Sequence, residues 1–311
     1  MISSKIIAAS KHFNTNKTIV TYEITIPRII LSEFNKHRQL SNNSSSSRAV
    51  PISKNIEYVL NNSFIPTYWG ANKPGMSASV EISSFKQKIS TFLWYLLRNI
   101  SILFAKTYEI LGIHKQITNR LLELFTYQKL VVTATDWDNF FWLRNHKDAQ
   151  PEFKKLAELM LKDYEQIIPE ILYEGEWHTP YVDHNRDTNN KLQYLVNGEI
   201  VDLETALKIS TACCAQISYR NNDNSIEKAD KIFNMLNLDN SDVDSRAHSV
   251  CAEHQATPIH SSNTLQDNGI THMNKNSKLC SGNFEDWIQH RHLFKNESCK
   301  KYPYEKLNFS A

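Results

Sequence analysis

Between residues 33 and 51 the chain sets Glu33, Lys36, His37 and Arg38 ahead of a run of hydroxyls and amides, Ser41, Asn43, Ser44 and Ser46, which Arg48 closes. Polar clusters of this kind between patterned segments are ordinarily loops. Cations at both ends with hydroxyls between them also make a donor set for phosphate or another anion, because arginine presents a planar fork of N–H donors. A second run, Thr135 to Phe153, carries Asn139 and Arg144 beside Phe140, Phe141 and Trp142. An arginine among aromatics makes either a core edge with cation–π support or the wall of a pocket for a planar ring. Arg120 lies among Leu121, Leu122 and Leu124, a setting that reads as a surface or ion-pair residue.

Other chemistries find less support. Cys251, His254, Cys280, His290 and His292 have the right types for zinc, but their spacing fits no compact finger. Neither standard glycine-rich phosphate loop is present. Ser46 has no assignable base, and a serine nucleophile needs one. Five cysteines, two of them adjacent and none in CxxC spacing, argue against a disulfide framework and for a reducing compartment, so a cytoplasmic protein is expected. The N-terminus lacks the apolar core of a signal peptide. The most apolar stretch, Ile89 to Leu97, is bracketed by Lys88 and Arg98 and is shorter than a span of about 18 residues, so no membrane is expected. A net charge of +2 decides nothing about nucleic acid, but the first 54 residues hold eight Lys or Arg against Glu23 and Glu33. That local excess favours an anionic ligand.

The elements that must position these groups are legible from periodicity. Thr18–Pro27 alternates Val20, Tyr22, Ile24 and Ile26 against polar residues, a half-buried strand, and feeds a short helix over 28–36 that delivers His37 and Arg38. Residues 84–112 carry Phe85, Ile89, Phe92, Leu93, Leu96, Leu97, Ile100, Leu103 and Phe104 at helical spacing, which predicts a long core helix. A second helix spans 115–125, a strand 130–135, and Pro151 opens another helix. After Glu174 a polar connector leads to a strand-turn-strand at Asn197-Gly198, a helix capped by Asp202, and a helix from Ser225. Residues 260–278 read as a flexible loop.

Lys36-His-Arg-x2-Ser41-x-Asn43-x2-Ser46-x-Arg48 resembles the signature of the flavin-dependent thymidylate synthases, Arg-His-Arg-x2-Ser-x-Asn-Glu-x-Ser-x-Arg. Asn139-x4-Arg144-x4-Ala149-Gln150-x-Glu152 is similar to that family's second block. The wording around Glu33 and Pro51 resembles a longer, divergent branch of phages and bacteria. Cys214-Ala-Gln-Ile-Ser218-Tyr219 and His248-x4-Glu253-His254 look like blocks that precede the signature in short members, yet here they follow it. Gln289-His290-Arg291-x4-Asn296-Glu297 is a partial second copy. The resemblance therefore implies an α/β fold of the α+β kind, a mixed sheet with long helices and a permuted or partly duplicated motif order. Two regions are expected, 1–175 with the signature and 176–311 with the partial repeat.

The same resemblance implies conversion of dUMP to dTMP, with FAD as cofactor, methylenetetrahydrofolate as carbon donor and NADPH as reductant. It implies a homo-oligomer, a tetramer or its dimer equivalent, with a small nucleotide rather than nucleic acid as partner. By analogy Ser46 and Arg48 would hold the nucleotide phosphate with help from Arg120, and Arg144 would stabilise charge on the uracil. Glu33, Lys36 and Ser44 would also face the substrate. His37, Arg38, Ser41, Asn43 and Asn139 would contact the flavin, as would Ser218 and Glu253. Three positions depart from the pattern: Lys36 replaces Arg, Glu33 replaces Gln, and Ser44 replaces the signature Glu. Glu297, in the copy that retains Asn-Glu, is the expected substitute for that lost carboxylate.

Overall fold

The computed structural model describes residues 1–75, 78, 80–218, 223–238 and 248–298. Tyr219, Arg246 and Cys299 lie outside them. The chain divides into two compact units. The first takes Met1–Lys11, Thr18–Glu170 and Gln216–Asn222, the second His12–Lys17, Ile171–Ala215 and Asp223–Ala311.

The first unit is built on antiparallel strands β1 (Ser3–His12), β2 (Thr18–Pro27), β3 (Ser41–Ser44) and β4 (Tyr127–Ala134), side by side in the order β3-β4-β2-β1. In β2 the residues expected to face inward, Val20, Tyr22, Ile24 and Ile26, are all fully buried. Its other face carries the Thr21–Thr133 hydroxyl pair at 2.7 Å and the Glu23–Lys129 ion pair at 3.1 Å. The strand packs on helices α5 (Asp138–Arg144) and α6 (Pro151–Tyr164), where Tyr22 donates to the Met160 carbonyl at 2.9 Å. Pro151 occupies the first turn of α6, where its missing N–H costs nothing.

Four expectations for this unit change. Residues 41–44 are not loop but the edge strand β3, with Ser41 opposite Thr133 and Ser44 opposite Leu130. Backbone pairing to β4 needs no apolar alternation, and short polar strands are the usual sheet edge. The helix over 28–36 is a 3-10 turn, Arg28–Ile30, followed by α1 (Leu31–Phe34), and Pro51 leads straight into α2 (Ile52–Asn61). The long helix exists as α3 (Ser84–Ile110), but only Ile102 and Ala105 on it are buried. Phe85, Phe92 and Leu103 are 73%, 66% and 62% exposed. Helical spacing identifies an apolar face, not the molecule that covers it. The next helix is split into α4 (Lys115–Thr118) and the 3-10 helix Asn119–Phe125.

Strand β5 (Glu170–Leu172) begins at the last residue of the first unit's long segment, and the second unit holds the meander β6 (Asp183–Arg186), β7 (Leu192–Val196) and β8 (Glu199–Val201), then α7 (Leu203–Ala215) and α8 (Ile226–Leu236). Asn197 and Gly198 make the β7–β8 turn with φ of 53° and 85°, the backbone that favours Asn-Gly. Asp202 caps α7 through the Thr205 N–H at 2.7 Å. Residues 260–278 are organised rather than open: Asp267 accepts from the Thr264 N–H at 2.6 Å, and His272–Met273 pairs with Leu279–Ser281. Asn, Asp, Ser and Gly build specific turns as readily as linkers. Among the described residues no helix is long and apolar enough to cross a membrane, and Cys213, Cys214, Cys251 and Cys280 are free thiols.

Candidate functional site

Two groups in the first unit gather the residues singled out by type and spacing. The first forms where α1 ends. The chain turns after Phe34, the His37 N–H donating to the Phe34 carbonyl at 3.0 Å, and the His37 ring enters an aromatic wall. It meets Phe140 edge-on at 5.1 Å between centroids and stands 6.4 Å from Phe153. Arg144, the last residue of α5, donates from Nε to His37 Nε2 at 2.8 Å and lays its guanidinium carbon 4.6 Å from the Phe153 ring centre. Since a guanidinium only donates, Nε2 is the acceptor and the ring proton sits on Nδ1. Burial, reinforced by the Arg144 charge, pushes the His37 pKa down to about 4. The imidazole is therefore neutral at physiological pH. The Ser32 hydroxyl, donating at 2.7 Å, holds the Glu33 carboxyl below its usual range, with Lys36 and Arg144 adding smaller pulls.

The geometry at Arg144 is that of a core edge with cation–π support. The aromatic residues Phe140 and Phe153 belong to the core, and the guanidinium lies over its edge. Its Nε is committed to His37, which fixes the plane of the fork.

The second group surrounds a cavity of about 290 Å³ lined by Ser45, Ser46, Ser47, Arg28, Lys54, Lys129 and Glu123, with Tyr58 and Tyr127 on its apolar side. The Ser46 hydroxyl caps the 3-10 turn Ser47–Ala49 by accepting from the Arg48 N–H at 3.3 Å, leaving the Arg48 side chain exposed. Asn119 Nδ2 donates to the carbonyls of Ser47 and Val50 at 2.7 and 2.9 Å and pins this turn to the 3-10 helix carrying Arg120 and Glu123. Arg120 pairs with Glu123 at 2.9 Å, as its setting among leucines suggested.

Other expected residues stand apart from these contacts. Lys36, Arg38 and Asn139 are exposed, Asn43 and Ser44 are half-buried in β3, and Ser41 is buried. Ser218 lies in the 3-10 turn Gln216–Ser218 of the first unit's share of the chain. In the second unit Glu253 is paired with Arg291, and the Glu297 carboxylate lies 2.6 Å from His292 Nδ1. His290 is buried beside Trp177 and Phe294. Cysteine and histidine form no metal-holding group among the described residues. Sequence reasoning passed over Arg28, Lys54, Lys129 and Glu123 as individuals. Two of them, Arg28 and Lys54, belong to the basic excess of the first 54 residues, which was their only signal.

This is an antiparallel α+β unit whose polar edge strand and flanking turns gather cations, hydroxyls and a fixed arginine, a donor set with the chemistry to take an anion. The chain belongs to the thymidylate synthase complementing protein family, whose model matches residues 4–170, just over half its length. Among solved structures it is similar to a UMP/dUMP methylase PolB from Streptomyces cacaoi bound with 5-Br dUMP, at 14% identity and a TM-score of 0.44, over 53% of this chain and 90% of that one. The same methylase bound with 5-Br UMP gives 15% identity and a TM-score of 0.44, over 53% and 89%. No curated protein matches the chain.

Proposed function

We propose that this chain is a flavin-dependent thymidylate synthase, methylating dUMP to dTMP with methylenetetrahydrofolate as carbon donor and NADPH as reductant. The observation that carries the reading is the 2.8 Å bond between His37 and Arg144. It joins the signature to the second block, 107 residues away, and family membership gives both blocks their meaning.

FAD is the cofactor implied, and the donor chemistry fits it: His37 has Nδ1–H left to donate, and Lys36 and Arg38 present exposed cations beside it. Arg38, Ser41, Asn43 and Asn139 would join His37 in holding the flavin, with Ser218 as a further contact that the resemblance implies. When bound, reduced flavin supplies the hydride. The chain's own residues would do the rest. Arg144, whose Nη donors have no hydrogen-bond partner among the described residues, would stabilise negative charge on the uracil ring, an effect that grows where water is excluded. Neutral His37 would hold that guanidinium without adding a charge. Ser46, Arg48 and Arg120 would take the phosphate, and Glu33, Lys36 and Ser44 would face the nucleotide.

Ser44, standing where the signature has Glu, favours a second reading, a flavoenzyme acting on another uracil-containing nucleotide. Expression in a thymidine auxotroph separates the two: growth without thymidine supports the first, and failure of a flavin-loaded protein to rescue rejects it. The free thiols of the described cysteines fit a cytoplasmic setting. A homo-oligomer is part of the proposal.

A further inference from the structure

Glu123 receives more donors than its own fold requires. Its Oε1 accepts from the Ser47 hydroxyl at 2.8 Å, from Arg28 Nη2 at 3.0 Å and from Arg120 Nη1 at 2.9 Å, and its Oε2 takes a further contact from Arg120 at 3.2 Å. Two guanidinium groups and a hydroxyl converging on one oxygen are the donor set that recognises phosphate. Arg28 and Glu123 are only 16% and 22% exposed, whereas Arg120 is 53% exposed. The convergence is held in place from outside, since Asn119 ties the Ser47 turn to the helix that carries the carboxylate. Around it the cavity adds Lys54, Lys129 and the other two serines, with Glu123 the one lining carboxylate among the described residues.

We propose that Arg28 and Ser47 complete the phosphate subsite assigned above to Ser46, Arg48 and Arg120, and that Glu123 is the chain's own anion occupying it until the phosphate of a uridine 5′-monophosphate displaces it. The proposal deepens the functional reading above and rests on it for the identity of the nucleotide. The carboxylate keeps two arginines and a hydroxyl converged without ligand, so they do not repel or collapse onto other acceptors. A phosphate dianion brings more charge and more acceptor oxygens to the same donors and replaces the carboxylate, while Lys54 stands in the cavity to share the added charge. Affinity is then set by competition between two anions for one donor set.

The full-length protein is titrated calorimetrically with dUMP, inorganic phosphate and deoxyuridine. Glu123→Gln keeps an acceptor for Ser47 and removes the competing charge. It is expected to bind dUMP and phosphate about tenfold more tightly, the scale of one charge interaction near a protein surface. Deoxyuridine, which lacks the phosphate, is expected to show no gain. Arg28→Met is expected to lose about tenfold for both anions, and the double variant to lose the gain. Thermal melts establish that each variant is folded at the titration temperature. If Glu123 were only a structural ion-pair partner, Glu123→Gln would lower the melting temperature with no gain in affinity, and that result overturns the proposal. Absence of phosphate and dUMP binding in Glu123→Gln overturns it equally. Enhanced phosphate binding without dUMP binding keeps the subsite and rejects the uridine nucleotide.

Discussion

At the scale of single residues, Arg144 is the side chain on which the proposed chemistry depends, because its orientation is fixed from two directions. His37 accepts from Nε and Phe153 supports the guanidinium face. Arg144→Lys retains charge but loses the fork and the flat face. Its kcat is expected to fall by about 10²-fold, in line with loss of an oriented electrostatic donor, with KM changing less. A kcat within a factor of about three of wild type would remove Arg144 from the mechanism. The neutrality of His37 is separately measurable. With its pKa near 4, below the ordinary 6.5, the ring stays neutral down to pH 5 and takes up its proton as pH falls through about 4. Nuclear magnetic resonance of the imidazole is expected to show no titration between pH 8 and 5. In Arg144→Met the midpoint should rise part of the way towards 6.5, since burial is the larger cause and the arginine charge the smaller.

At the scale of elements, legibility followed the physics of each signal. Strand β2, the Pro151 helix, the Asp202 cap and the Asn197-Gly198 turn could be read because alternation, φ restriction and capping are local. Strand β3 could not, because its pairing with β4 is a backbone interaction across 86 to 92 residues, from Ser44 opposite Leu130 to Ser41 opposite Thr133. The cavity around Glu123 was hidden for the same reason, Ser47 and Glu123 being 76 residues apart. Helix α3 is the instructive failure: its length was legible and its environment was not. Phe85, Ile89, Phe92, Leu96, Ile100 and Leu103 recur at steps of three and four, the seam of helix-on-helix packing. Phe85, Phe92 and Leu103 on this face are each more than half exposed, so a covering partner would remove apolar surface from water. We therefore expect a second copy of the chain to cover α3. Sedimentation should give an oligomer for wild type and a smaller species for Leu96→Glu/Leu103→Glu, and a wild-type monomer at micromolar concentration rejects this.

At the scale of the whole molecule, the second unit differs from the first in where it keeps its histidines. His178 and His254 are wholly buried and His290 nearly so, and burial pushes their pKa values down to about 3, 3 and 4. These groups are held neutral in the folded chain but protonate near 6.5 once unfolded. The sign follows from proton counting. Between pH 6.5 and 4 the unfolded unit binds more protons than the folded one, so stability is complete above about 6.5 and is lost progressively as pH falls. At pH 5 unfolding this unit should take up about three protons, a slope on the order of 4 kcal/mol per pH unit when the three histidines are released together. Paired carboxylates such as Glu176, held low by Arg186 and nearby N–H groups against an opposing burial effect, begin to contribute only at lower pH. Hydrogen exchange followed by mass spectrometry on peptides from 171–215 and 248–297 measures the effect directly, because it assigns opening to this unit. Protection there should fall steeply from pH 7 to 5 after correction for intrinsic exchange. His290→Gln removes one of the three protonations and should reduce the slope by about a third, whatever it does to stability at pH 7. A slope unchanged by that substitution, or flat between pH 7 and 5, would show that the buried histidines do not govern the acid limit of the fold.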